Sequence, residues 1–210
     1  MRLDLAQPIV YLITDGRCDA TNFEDSSRRV VEIATAAVDS GVDLIQIREK
    51  RLTGKLLFEL TRIVGRVTRD SPTRLLVNDR FDIAMMAHAD GVHLTSASLP
   101  AATVREHTPA GFLIGVSTHT SSDILDASVQ GADFAVFGPV FATPEKGDGV
   151  GLGALSEACA AGGDLPVLAI GGTDESNYRS VLDAGASGFA AIRAMNNIDP
   201  MRRIMQELRG

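Results

Sequence analysis

Three side chains able to grip an anion close one apolar run, in the order Gln46-Ile47-Arg48-Glu49-Lys50. Extended backbone alternates its side chains, which turns Gln46, Arg48 and Lys50 to one side and Ile47 to the other. The chain holds three lysines, at 50, 55 and 146, so a lysine in that place carries weight. The structural alternative is an ion pair between Arg48 and Glu49. A second run ends in Asn78-Asp79-Arg80. That Asn–Asp pair suits a helix cap as well as it suits an amide for a phosphate and a carboxylate for Mg²⁺, a hard cation that takes oxygen ligands. A third run ends in Gly115-Val116-Ser117-Thr118-His119-Thr120, where Ser117 and His119 share a side if the strand continues. Of the other histidines, His93 reads as a core residue, and His88 and His107 as helix-surface residues.

Further along, a Gly-rich segment runs from Gly138 to Gly149 and carries Thr143 and Lys146. Long loops in compact domains are commonly lids, and closure of this one would deliver Lys146. Two later runs end in Ile170-Gly171-Gly172-Thr173 and Ala191-Ile192-Arg193-Ala194. Glycine leaves backbone N–H groups open to a phosphate, and Arg193 adds a cation. Two phosphate-gripping groups result: Arg48, Lys50, Asn78 and Lys146 in one, Gly172 with the Ile192–Arg193 backbone in the other. They imply two phosphorylated small-molecule substrates, or one with phosphate at both ends.

These residues need scaffolding, and the runs that carry them supply it. Strands are predicted at Ile9–Thr14, Asp43–Arg48, Arg74–Asn78, Gly91–Leu94, Phe112–Val116, Phe134–Phe137, Pro166–Ile170 and Gly188–Ile192. Most are apolar throughout, as strands buried on both faces are. Between them, Val30, Ile33, Ala34, Ala37 and Val38 keep helical spacing, as do Leu56, Leu57, Leu60, Ile63, Val64 and Val67. Caps are predicted at Thr53, Thr120–Asp123 and Thr173–Glu175, and helix ends at Gly41 and Gly185. Eight strand–helix units without a hairpin signal predict a parallel α/β fold, a single (β/α)₈ barrel over residues 1–210, with an open doubly wound sheet as the alternative. The dinucleotide-like stretch Gly149–Ala154 sits too far past its strand to serve as a phosphate turn. In a barrel, function lies where strands run out into the following loops, and the last two such loops form a recurrent phosphate site.

A net charge of −7 argues against nucleic-acid or anionic-membrane surfaces as partners. The two cysteines, Cys18 and Cys159, match no metal motif and fit free thiols in a reducing cytoplasm. Acid and proline interrupt residues 1–8 where a signal peptide needs an apolar stretch, and no run is long enough to cross a bilayer. Oligomeric state is left open, a homo-oligomer included.

Taken together, Gln46–Lys50, Asn78–Arg80, Ala89–Leu94, Gly115–Thr120, Gly138–Phe141 and Ala169–Gly172 make the chain resemble the thiamine phosphate synthases and their relatives, the thiazole tautomerases. The resemblance spans Tyr11 to Gly188, and the order and spacing of these pieces are what make it specific. It implies a transferase that joins hydroxymethylpyrimidine diphosphate to thiazole phosphate, expels pyrophosphate and uses Mg²⁺. Carried over, Arg48, Lys50, Asn78 and Lys146 would hold the diphosphate and Asp79 the metal. Gln46 and Ser117 would position the pyrimidine, and Thr143, Gly172, Ile192 and Arg193 the thiazole phosphate. The family's loop after strand four usually ends in a second Mg²⁺ carboxylate, whereas here Thr95-Ser96-Ala97-Ser98 places Ser98 there. Pro144-Glu145 and Arg193 also depart from the family pattern. The tautomerases share the loss of that acid and use a histidine at the position of His119. A tautomerase and a non-catalytic barrel binding thiazole or thiamine phosphate therefore stand as alternatives. Fold alone would also admit a Schiff-base aldolase using Lys50 or Lys146.

Overall fold

The computed structural model describes residues 7–144 and 147–210. Eight strands alternate with eight helices among these residues, and the strands close in chain order into a parallel barrel. The open doubly wound alternative is thereby excluded. The strands are β1 (Ile9–Ile13), β2 (Leu44–Ile47), β3 (Arg74–Asn78), β4 (Gly91–Leu94), β5 (Leu113–Thr118), β6 (Phe134–Phe137), β7 (Val167–Ile170) and β8 (Gly188–Ala191). β1, β2, β4, β6 and β8 are buried at every residue, which explains why apolar side chains dominate them, with Gln46 in β2 and His93 in β4 the polar exceptions. The helices are α1 (Phe23–Asp39), α2 (Gly54–Thr68), α3 (Phe81–Met86), α4 (Ala101–Glu106), α5 (Ser121–Val129), α6 (Gly151–Gly162), α7 (Tyr178–Asp183) and α8 (Ile198–Arg209).

The chain divides into two compact units. One contains Tyr11–Val92 and Ile192–Gly210. Here α1 buries Val30, Ile33, Ala34 and Ala37, and α2 buries Leu57, Leu60 and Val64, along the stripes that their spacing predicts. The Thr53 hydroxyl caps α2 by accepting the N–H of Leu56. At the base of β2, Arg209 of α8 is ion-paired with Asp43 at 2.6 Å.

The other unit contains the described residues up to Val10 with His93–Ala191. Its α5 starts in a capping box, Thr120 and Asp123 each bonding the other's backbone. α7 departs from expectation. Its N-cap is Asn177, while Asp174 folds back on the N–H and hydroxyl of Ser176 at 2.9 and 2.6 Å. Thr173–Glu175 thus shapes the loop before the helix and does not cap it. Close backbone approach fixes Gly188, where an added Cβ would lie 2.0 Å from the carbonyl oxygen of Ile9.

Candidate active site

In the unit containing β2 and β3, pairing runs Gln46 beside Leu76 and Ile47 beside Val77. One step further brings Arg48 level with Asn78 at the two strand exits. The ladder stops at Ile47, so strict alternation does not extend to Lys50, which is exposed in the following turn. The Arg48 backbone N–H donates to the Thr14 hydroxyl at 2.8 Å. Glu49 does not pair with Arg48. Buried at 3 % exposure, it accepts the N–H groups of Gly16 and Cys18 at 3.2 and 2.8 Å. Burial pushes its carboxyl above the usual glutamate range, against opposing hydrogen bonds from Thr14, Cys18 and Gly16. On the outer side, Arg51 donates to the carbonyl oxygens of Gly16 and Arg17. Segment 48–51 is therefore clamped to the β1–α1 loop from both sides, which holds the Arg48 and Lys50 backbone in place.

Asn78 and Asp79 do not cap α3, whose N-cap is Arg80 without a side-chain bond. Asp79 takes a left-handed backbone, φ 63°, and is exposed at the β3 exit. A non-glycine residue in that conformation costs energy and is kept where the chain must turn a side chain outward. Below the exit, Gln46 donates from Nε2 to the Tyr11 phenolic oxygen at 2.7 Å. Its Oε1 is buried with no hydrogen-bond partner among the described residues. Past β8, Ile192 is half-buried and Arg193 exposed. Arg193 lines a cleft of about 580 Å³ with Asp15, Arg17, Arg29, Glu32 and Asn196. Asn196 donates to the carbonyl oxygens of Ile13 and Ile192, both at 2.7 Å, which pins the turn after β8 to β1.

In the second unit, β5 runs two residues past the predicted end, to Thr118, because Thr118 pairs with Phe137 of β6. Ser117 thus lies within the strand, and its hydroxyl is hydrogen-bonded to Nε2 of His93 at 2.9 Å. His93 is buried as expected, at 3 % exposure. His119 is fixed twice. Its backbone N–H and that of Thr120 both reach Asp123, bonds that hold the Asp123 carboxyl below its usual range. Its ring Nδ1 meets the carbonyl oxygen of Gly138 at 2.5 Å. A carbonyl only accepts, so Nδ1 carries the proton and a neutral ring presents its lone pair at Nε2.

The loop after β6 folds into a narrow arch. Val140 and Phe141 donate to the carbonyls of Ile170 and Gly171, and Val150 and Gly151 return to Pro139 and Val140. Thr143 and Gly147 exchange two bonds at 2.9 Å across its tip. Lys146, the residue expected to arrive with this loop, lies outside the described residues. Gly171 and Gly172 both take positive φ, 100° and 67°, and a Cβ on Gly172 would meet Phe141 Cβ at 2.7 Å. The glycine pair is needed twice over, for its turn and for its contact with the arch. Ser98 closes its own loop, accepting the Thr95 N–H at 2.8 Å and contacting the Thr95 hydroxyl at 3.1 Å.

Among the described residues no group of three or more His, Cys, Asp or Glu side chains could cage a metal ion. Asp79 still fits Mg²⁺, which commonly binds through one or two carboxylates plus substrate phosphates and water. Sequence reasoning found the strand-exit residues but passed over Tyr11, and it read Asp123 only as a cap and His93 only as core. A tyrosine inside the aliphatic strand Ile-Val-Tyr-Leu-Ile was the available signal for the first.

A family profile described as thiamine monophosphate synthase matches residues 10–195. The thiamine-phosphate synthase of Methanoculleus marisnigri is 42 % identical over 189 residues, covering 89 % of this chain and 86 % of that protein. That of Methanoregula boonei is 39 % identical over 198 residues, covering 93 % and 86 %. A solved structure of thiamine phosphate pyrophosphorylase from Pyrococcus furiosus superposes with a TM-score of 0.82 at 30 % identity, covering 98 % of this chain and 99 % of that one.

Proposed function

The chain belongs to the thiamine monophosphate synthase family, and we propose that it joins hydroxymethylpyrimidine diphosphate to thiazole phosphate with release of pyrophosphate. The observation that supports this reading is the β2–β3 register, which pairs Ile47 with Val77, so that Arg48 and Asn78 each come one residue later, with Lys50 and Asp79 in the segments that follow. A cation, an amide, a second cation and a carboxylate suit a departing diphosphate, which an isomerase of a monophosphate would not need to hold.

In the proposed reaction the bond between the pyrimidine methylene carbon and the diphosphate oxygen breaks, and its electron pair leaves with pyrophosphate. Arg48, Lys50, Asn78 and Lys146 take up the developing negative charge, the largest contribution such a site can make. Asp79 would hold Mg²⁺, which supplies further charge neutralisation to the diphosphate when bound. Gln46 and Ser117 orient the pyrimidine ring while it carries the resonance-stabilised positive charge. The thiazole nitrogen donates its lone pair to the methylene carbon and forms the new C–N bond, its phosphate held by Thr143, Gly172 and the Ile192–Arg193 backbone. No strong base is required. The whole chain acts as one barrel domain, in the cytoplasm where phosphorylated substrates are kept.

One observation favours a second reading, the thiazole tautomerase. The His119 ring is held in the tautomer that leaves Nε2 able to take a proton. A pyrophosphate-release assay with both substrates, in Mg²⁺ and then in a chelator, separates the two. Release that needs Mg²⁺ and Asp79 supports the synthase. Absence of release, with a thiazole carboxylate phosphate still isomerised in chelator, supports the tautomerase. Phosphate binding without either turnover would leave a non-catalytic barrel.

A further inference from the structure

Glu49 lies between the two cations of the β2 exit, and of the three it alone is buried, at 3 % exposure. Arg48 is half-buried and Lys50 exposed. Burying a carboxyl is unfavourable unless its oxygens are hydrogen-bonded, and an apolar side chain would fill the same space without that cost. What an apolar side chain could not do is accept hydrogen bonds. Among the described residues, those that Glu49 makes all come from one place. Gly16 and Cys18 give it their backbone N–H groups at 3.2 and 2.8 Å, and the Thr14 hydroxyl is hydrogen-bonded to it as well.

These donors belong to the β1–α1 loop, which runs beside segment 48–51 beyond the paired strands. The Thr14 N–H donates to the carbonyl oxygen of Gln46 at 3.0 Å, and an isolated parallel bridge joins Asp19 to Arg51. At the near end the Thr14 hydroxyl accepts the Arg48 N–H at 2.8 Å, so one hydroxyl joins the Arg48 backbone to the Glu49 carboxyl. At the far end Arg51 donates to the carbonyl oxygens of Gly16 and Arg17 and pairs with Asp19 at 3.5 Å. Glu49 fastens the middle. There Gly16 takes a left-handed backbone, φ 76°, and an added Cβ would lie 3.5 Å from the Arg48 carbonyl oxygen, so loop and segment are already in contact.

The Arg48 guanidinium and the Lys50 ammonium have no ion pair of their own among the described residues. Their placement therefore comes from the backbone that carries them. We infer that Glu49 is a positioning residue for the diphosphate grip, because it fastens the β1–α1 loop to segment 48–51 and so fixes the backbone from which Arg48 and Lys50 reach the departing group. It acts through its two neighbours and touches no substrate. A displacement of about 1 Å in a positioned group can cost about 100-fold in rate, so a loosened loop is felt at both cations. The coupling runs both ways. A diphosphate held by Arg48 and Lys50 must in turn hold the loop closed, by the same factor.

This inference rests on the synthase reading for what the two cations hold, and the test keeps the two apart. Binding of pyrophosphate in Mg²⁺ is measured by calorimetry for wild type and for Glu49→Gln, which keeps the shape and loses one acceptor. Glu49→Met fills the space with no acceptor and carries the test if the glutamine variant does not fold. Both variants are expected to bind pyrophosphate about tenfold or more weakly. Amide exchange at Gly16 and Cys18, followed by NMR in the wild type, is expected to slow by about the same factor when pyrophosphate saturates the site, a response that a merely structural contact would not give. Unchanged affinity in the variants, or wild-type exchange that does not respond to pyrophosphate, overturns the inference. Both effects in a protein that releases no pyrophosphate from its two substrates support the inference and sink the synthase reading. Release from the substrates by a wild type that does not bind pyrophosphate overturns the inference alone, and absence of both sinks both.

Discussion

Glu49 accepts the backbone N–H of Cys18 at 2.8 Å and in doing so ties the β1–α1 loop to the strand exit that carries Arg48 and Lys50. The contact acts on the thiol as well. Burial first, then the Glu49 charge, pushes Cys18 up to about 11, and burial does the same to Cys159. Both cysteines are free and protonated at neutral pH, so thiol reagents should label the native protein slowly and the unfolded chain fast.

Glu49 also gives stability a pH dependence whose sign follows from its raised carboxyl. A group with a higher pKa in the folded state contributes stability that is full below its unfolded value and fades as pH rises through the folded one. Urea unfolding of wild type and Glu49→Gln should thus show the wild type losing ground relative to the variant as pH climbs above about 4.3, the ordinary glutamate value. A constant difference across that interval would mean that Glu49 ionises as it does in the unfolded chain.

Arg48 and Arg193 should separate by substrate. Truncating Arg48 removes a charge-assisted contact to the departing diphosphate, and kcat/KM for the pyrimidine substrate is expected to fall about 100-fold or more. Arg193→Ala retains the backbone proposed to hold the thiazole phosphate, so only the thiazole KM should move, by less than about tenfold. Steady-state kinetics with each substrate varied in turn checks both, and equal losses on the two substrates would contradict separate phosphate sites.

Ser98 offers a gain-of-function test. Its Oγ already accepts the Thr95 N–H, a bond that an aspartate carboxylate can make with one oxygen while the other stays free. Ser98→Asp should lower the Mg²⁺ concentration for half-maximal pyrophosphate release about tenfold, with the loop kept. An unchanged Mg²⁺ titration would show that this loop does not reach the metal.

Much of this was legible in the sequence because the informative residues sit at strand ends, where burial stops abruptly. Unbroken apolar runs such as Ile9–Ile13 and Phe134–Phe137 announced parallel strands, and the polar residues just past them announced the candidate site. What was not legible depends on neighbours in space. The Tyr11–Gln46 and His93–Ser117 bonds join residues 35 and 24 positions apart, and both pairings depend on strand register. The role of Glu49 was equally hidden, since a carboxylate between Arg48 and Lys50 suggests ion pairing until the β1–α1 loop folds its N–H groups onto it. Thr173 failed as a cap for a local reason, because Asp174 and Asn177 make a competing turn and delay α7 to Tyr178.

His119 decides between the two chemistries the fold can house. Its Nδ1 is bound to the carbonyl oxygen of Gly138 and its backbone to Asp123, so the ring joins the β5 exit to the start of the arch whatever reaction follows. A synthase needs no base there. His119→Ala should then cost pyrophosphate release less than about tenfold, through looser support of the arch, and His119→Asn, whose amide can still donate to Gly138, should recover part of it. A tautomerase needs Nε2 to move a proton, a contribution of about 100- to 10,000-fold that neither variant could restore. Measuring release and isomerisation side by side in the two variants gives opposite patterns for the two readings. Partial rescue by asparagine assigns His119 to support of the arch, and loss of isomerisation in both variants assigns it to catalysis.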